Sequence, residues 1–193
     1  MSRPTNQERP AELVDAIVRY LTRHGLADLS LRPLARAVGS SPRVLLYYFG
    51  SKEQVVIRVL AEVRRRQSAV YEQVEAATFA EACRAVWKHM SAPESEPLFR
   101  LFFEAYGLAL RRPQRYKEFL RATIEDWLGF VADPLRREGY TRRQARAFAS
   151  VVLAGFRGFM LDYCTTHDRK RLDRAVNLWL SSMDSFLRAA KRR

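Results

Sequence analysis

Between positions 30 and 52 the chain places hydroxyl and basic side chains at spacings that suit contact with a polyanion. Ser30 and Arg32 are followed by Ser41, Pro42 and Arg43, and then by Tyr47, Tyr48 and Lys52. A guanidinium at the start of a short helix can reach a base edge and donate two parallel hydrogen bonds to guanine. Hydroxyls and an ammonium further along can donate to phosphate oxygens, which fixes position without reading sequence. Arg43 and Ser41, with Pro42 between them, stand where base edges come within reach, and Tyr47, Tyr48 and Lys52 where phosphates do. Ser30 and Arg32 open a preceding helix whose N-terminus is itself an anion site. A plainer reading competes: tyrosines on an amphipathic helix commonly pack, and a lone lysine is commonly a solvated charge.

The whole chain leans the same way. Its 34 Lys and Arg outnumber 21 Asp and Glu, for a net charge of +13 in 193 residues. Such a charge attracts nucleic acid first and anionic membrane second. No run approaches the roughly 18 uninterrupted apolar residues of a spanning helix. The opening MSRPTNQERP has no apolar segment of the secretory kind. Cys83 and Cys164 lack metal-ligand spacing, and two cysteines in such a chain suit a reduced, cytoplasmic setting better than a disulfide framework. His24, His89 and His167 stand far apart, and neither a nucleophile elbow nor a phosphate-cradling glycine loop occurs. Neither catalysis, a metal nor a cofactor is expected. Arg64-Arg65-Arg66 and Arg136-Arg137 read as solvated faces that could also steer the chain toward a duplex.

The elements that must hold these residues read as all-α. Apolar residues recur at three and four, and period-two runs are missing. A first helix is expected from Pro10 to His24, with Leu13, Ile17, Tyr20 and Leu21 on one face and Gly25 as its stop. Ser30 is expected to cap a second helix that turns Leu34, Ala35 and Val38 inward. Gly39 supplies a left-handed turn residue, and Ser40 or Ser41 caps a third helix opened by Pro42 and closed at Gly50. Ser51 to Gln54 reads as a capping box for a long fourth helix reaching Glu75. Further helices are expected near 78–91, 95–111, 114–138, 141–166 and 168–190, with a loop over Ala92–Pro97 and a kink or break at Pro134. The tails before Pro10 and after Arg188 read as mobile. The division is then 1–52 for a three-helix helix-turn-helix domain, 52–75 for a linking helix, and 76–193 for a helical body.

Helix, glycine turn, short helix is the layout of a groove-reading unit. The run LSLRPLARAVGSSPRVLLYYFGSKEQ resembles the DNA-binding domain of the Tet repressor (TetR) family, through Gly39, Ser41, Tyr47-Tyr48, Phe49, Gly50, Ser51 and Lys52 at matching spacing. Three positions depart from the family pattern: Leu46 stands where Tyr is frequent, Tyr48 where His is common, and Pro42-Arg43-Val44 where Lys-Gly-Thr is frequent. The resemblance implies three DNA-binding helices, a fourth linking helix, and a ligand-sensing, dimerising body. Carried over by position, it makes Arg32 and Arg43 candidate base contacts, and Ser30, Ser41, Tyr47, Tyr48 and Lys52 candidate phosphate or groove contacts. It implies a homodimeric repressor on a palindromic double-stranded operator, released by a small molecule. An activator of the same family, or a protein binding DNA without sequence choice, are the alternatives. A helical enzyme on the same fold lacks any constellation to support it.

For the body, Trp87, Met90, Phe99, Phe102, Phe103, Tyr106, Trp127, Phe130, Phe156 and Phe159 form an aromatic-rich set that could line an effector cavity, or simply fill core. Glu104, Arg157 and Asp162 could orient a polar ligand group, although surface ion pairing explains each as well. The last two helices carry apolar residues at three and four: Phe148, Val152, Gly155, Phe156 and Phe159, then Leu172, Val176, Trp179, Met183 and Phe186. Ala149, Ala154, Gly155 and Gly158 would allow close approach. Two such helices from each of two subunits would form a four-helix interface, because paired half-sites strengthen a single short reading helix. A buried intramolecular face accounts for the pattern nearly as well.

Overall fold

Local signals, taken one helix at a time, account for most of the architecture. The computed structural model describes residues 8–74 and 78–191, and among these the chain forms nine helices and no strand. They are α1 (Glu8–His24), α2 (Leu31–Ala37), α3 (Pro42–Phe49), α4 (Lys52–Glu72), α5 (Phe79–Met90), α6 (Glu96–Arg111), α7 (Pro113–Arg137), α8 (Arg142–Thr166) and α9 (Arg169–Lys191). The expected end of the fourth helix at Glu75 and the boundary at 76 fall on residues 75–77, outside the described residues, as do residues 1–7 and 192–193 of the tails.

The helix ends show why the punctuation works. The Ser41 hydroxyl accepts from the Val44 N–H at 3.2 Å, and Pro42 occupies the first turn, where a missing N–H costs nothing. Gly39 turns the chain at φ +63°, in the left-handed region that a side chain would strain. The Ser51 hydroxyl accepts from the Gln54 N–H at 3.1 Å. Thr78 with Glu81, and Thr141 with Gln144, close reciprocal capping boxes at α5 and α8. Ser30 caps α2 through its extended backbone, but its hydroxyl makes no capping bond, contrary to expectation. Pro134 neither breaks nor ends α7; it lies in the last turn, so few following residues need a ladder to span it. The loop before α6 is shorter than expected, because α6 begins at Glu96.

The described helices sort into two compact units. One holds the described part of Met1–Ala69 together with Arg100–Phe119; the other holds Val70–Phe99 with Leu120–Arg193. In the first, Ile17, Leu21, Leu34, Leu45 and Val55 are fully buried and fix α1 to α4 around one core. Glu104 of α6 belongs to this unit, and its carboxylate accepts from the Leu26 N–H at the turn after α1. In the second, α5 and α8 both pack on α9. Gly155 is the close approach there, since a Cβ at this position would run into the Trp179 indole.

α8 is long and apolar enough, by length and composition, to cross a membrane, although it holds no uninterrupted apolar run of that length. Its buried residues Ala145, Ala149, Val152, Phe156, Met160 and Tyr163 recur at three and four, the one-sided stripe of a core helix.

Candidate nucleic-acid interface and effector cavity

α3 has eight residues, so it is about 12 Å long, the width of a major groove. Leu45 and Phe49 face the core. The opposite stripe is Arg43, Leu46 and Tyr47, with Leu46 41% and Tyr47 79% exposed. Tyr48 is half-buried and meets the Tyr47 ring edge-on, with centroids 5.1 Å apart. The core residues thus leave the guanidinium and one phenol free to enter a groove. Ser30, Arg32 and Ser41 are also exposed. Ser41 spends a lone pair on its cap and keeps its O–H for an acceptor.

Lys52 has a second task. Its ammonium donates to the Leu29 carbonyl at 3.0 Å, tying the start of α4 to the segment before α2. Two N–H groups remain for phosphate. Next to it, Glu53 receives Arg115, and Arg112 at 3.8 Å. A hydrogen bond from its own backbone N–H, reinforced by Arg115, holds the Glu53 carboxyl below the usual carboxylate range.

Two further residues share this exposed surface without having been expected as contacts. Leu46 shares the outward stripe with Arg43, and an exposed apolar residue in a short capped helix was its signal. Arg36 is exposed one turn beyond Arg32, and the i, i+4 spacing of the two was its signal. In the Arg64-Arg65-Arg66 run, Arg65 and Arg66 are exposed, as expected, and also ion-paired. Arg65 and Arg66 both bond Glu62, and Arg66 also reaches Asp15 of α1. The Arg65 hydrogen bond, with that of Arg66, lowers the Glu62 carboxyl to about 2.

The second unit holds a cavity of about 290 Å³, walled by the rings of Phe79, Trp127, Phe130 and Phe156 and by Cys83 and Val86. Of the aromatic set singled out in the sequence, Trp127, Phe130 and Phe156 line it. Trp87, Met90 and Phe99 are buried in packing and stand apart from the lining. Phe159 lies between Trp87 and Trp179, with centroids 6.0 and 5.4 Å away. Phe102, Phe103 and Tyr106 belong to the first unit, where Phe102 packs on Tyr106. The three polar candidates also stand outside the lining: Glu104 caps the turn after α1, Asp162 is paired with Arg171 at 2.6 Å, and Arg157 is absent from the wall. Phe79 escaped notice because it opens a helix instead of repeating within one.

The apolar stripes of α8 and α9 divide by face. Val152, Leu172 and Val176 are at most 1% exposed and pack within their own unit, so they are not available to a second subunit. Gly155 and Trp179 are occupied with each other. Phe148, Met183 and Phe186 instead border an open groove with Ala147, Val151 and Ala189. Val151, Leu161, Leu178 and Phe186 are 46, 51, 72 and 67% exposed.

Residues 13–59 match the family described as bacterial regulatory proteins, tetR family. Among curated proteins, the HTH-type transcriptional regulator BetI of Rhizobium meliloti is 29% identical over 169 residues, covering 85% of this chain and 70% of that protein. The HTH-type transcriptional regulator EthR of Mycolicibacterium smegmatis is 23% identical over 141 residues, covering 68% of this chain and 61% of that one. Among solved structures, a transcriptional regulator from Rhodococcus sp. Rha1 superposes with a TM-score of 0.77 at 18% identity, over 90% of this chain and 95% of that chain.

Proposed function

Since the chain belongs to the TetR family of DNA-binding transcriptional regulators, we propose that it is a cytoplasmic homodimeric repressor that a small molecule releases from a palindromic operator. The observation that carries the DNA-reading part is the outward stripe of α3, with Arg43 at its first turn and a capped, core-anchored opposite face. Arg43 and Arg32 read base edges. Ser30, Ser41, Tyr47, Tyr48 and Lys52 hold phosphates. Leu46 packs on a thymine methyl, an apolar contact open to a residue of this kind in the major groove.

The exposed apolar faces of α8 and α9 support self-association. Ala147, Val151, Ala154, Gly158 and Leu161 follow one another at four and three along α8, and Leu178 and Phe186 lie two turns apart on α9. An apolar face of this kind on a soluble protein marks an interaction site. A two-fold pairing of the helices covers it and sets two α3 helices on successive half-sites. The aromatic cavity of the second unit is the effector site.

The net charge of +13 favours a second reading, binding without sequence choice. Titrating genomic fragments with the protein at moderate salt, against excess bulk DNA, separates the two. Retention of one fragment class under competition supports the repressor; uniform loss of all complexes as salt rises sinks it, since charge-only binding falls steeply with salt.

A further inference from the structure

We propose that the effector accepted by this cavity is an amphipathic organic anion: a flat apolar body of aromatic size carrying one carboxylate or similar group. The proposal rests on the reading of the cavity as the effector site. The space of about 290 Å³ is near ten water volumes, enough for a fused two-ring body. Four aromatic rings and the side chains of Val86 and Val152 offer carbon, not hydrogen bonds. The Cys83 thiol on the wall is pushed up to about 12 by burial, so it stays neutral and brings no charge inside.

Charge reaches the lining at one point of the chain: Arg137, the last residue of α7, and Glu138, which follows it, are the ionic groups there. Arg137 also lines an adjoining basin with Asp133, Arg136, Tyr140 and Arg142. That basin sets three guanidiniums against one carboxylate. Elsewhere in the unit several arginines are matched, Arg146 with Glu125 and Arg171 with Asp162 among them. Among the described residues, Arg136, Arg137 and Arg142 have no such ion pair. A molecule with its rings in the cavity thus has its polar end beside Arg137, whose planar fork matches a carboxylate. The ring faces would also attract a cation, with Glu138 as its partner, but the guanidiniums of the basin oppose it.

The test uses the full-length chain and three probes of one shape: 2-naphthoate, 2-naphthamide and 2-naphthylmethylammonium, titrated by tryptophan fluorescence and calorimetry. The expected result is naphthoate binding at least tenfold more tightly than either other probe. Arg137→Gln is expected to reduce that preference to threefold or less while leaving the amide unchanged. Ala82→Phe, at a half-buried lining position, is expected to weaken all three alike. Equal affinities, preference for the ammonium, no binding by any probe, or naphthoate binding indifferent to Arg137→Gln or Ala82→Phe each overturns the proposal. DNA affinity read in the same titration keeps the two ideas apart. Naphthoate that binds as expected but leaves DNA affinity unchanged counts against release through this cavity, while the anion preference stands.

Discussion

Arg43 and Lys52 sit nine residues apart and are proposed to do different work, so their variants separate reading from holding. Arg43 is exposed on the stripe of α3 proposed to enter the groove. Arg43→Ala is expected to cost about 1–3 kcal/mol on operator DNA and little on random DNA, measured by fluorescence anisotropy on both. Lys52 touches the Leu29 carbonyl and presents its remaining protons outward. Lys52→Ala is expected to weaken both DNAs alike, to lower the salt slope by about one, and to reduce folding stability by about 1 kcal/mol. Equal losses from both variants on both DNAs would reverse the assignment of reader and anchor. Glu62 supplies a pH signature. Its carboxyl falls from an ordinary value of 4.5 to about 2 through Arg65 and then Arg66. A carboxyl depressed on folding stabilises above its unfolded value and loses that contribution as the pH drops through the folded one. Glu62→Gln is therefore expected to be less stable than the parent above pH 4.5, by about 1 kcal/mol or less for so open a pair. The difference should narrow below that pH and vanish near pH 2, as urea melts across the range would show.

At the scale of elements, the fold depends on where helices end and how near they come. The Ser41 cap is the cheapest place to probe the reading helix. Ser41→Ala removes the acceptor for the Val44 N–H and is expected to cost about 1 kcal/mol of stability. Gly155 controls the approach of α8 to α9 at Trp179. A methyl there must displace an indole that also packs on Phe156 and Phe159. Gly155→Ala is expected to lose about 1–3 kcal/mol in chemical denaturation. A neutral result would mean that the two helices are free to separate. α6 and α7 each contribute residues to both compact units, with Arg100–Phe119 grouped with α1 to α3.

For the whole molecule, the exposed faces of α8 and α9 give the proposed dimer its clearest consequence. Leu178 and Phe186 are 72 and 67% exposed, so charged replacements cost the isolated chain little. Leu178→Glu with Phe186→Glu is expected to give a folded monomer in analytical ultracentrifugation. The same variant should bind a paired half-site no better than a single one. A dimer that survives both substitutions would place the interface elsewhere. The positive charge of the chain adds long-range attraction to any duplex, and that part of the affinity should fade as salt rises.

The sequence by itself determined the helical class, the helix-turn-helix register from Ser30 to Lys52, and most helix limits to within a few residues. Those features come from local causes: periodic apolar residues, capping hydroxyls, a proline in a first turn and a glycine at positive φ. The tertiary structure decided which side of each periodic stripe meets the core. Val152 and Val151 are adjacent in α8, and only packing buries the first and exposes the second. It also decided that Trp127 and Phe156 line a cavity while Trp87 fills core, and that Arg65 and Arg66, while exposed, both pair with Glu62. Periodicity marks a face as apolar without saying what covers it, because the covering groups come from residues remote in the chain.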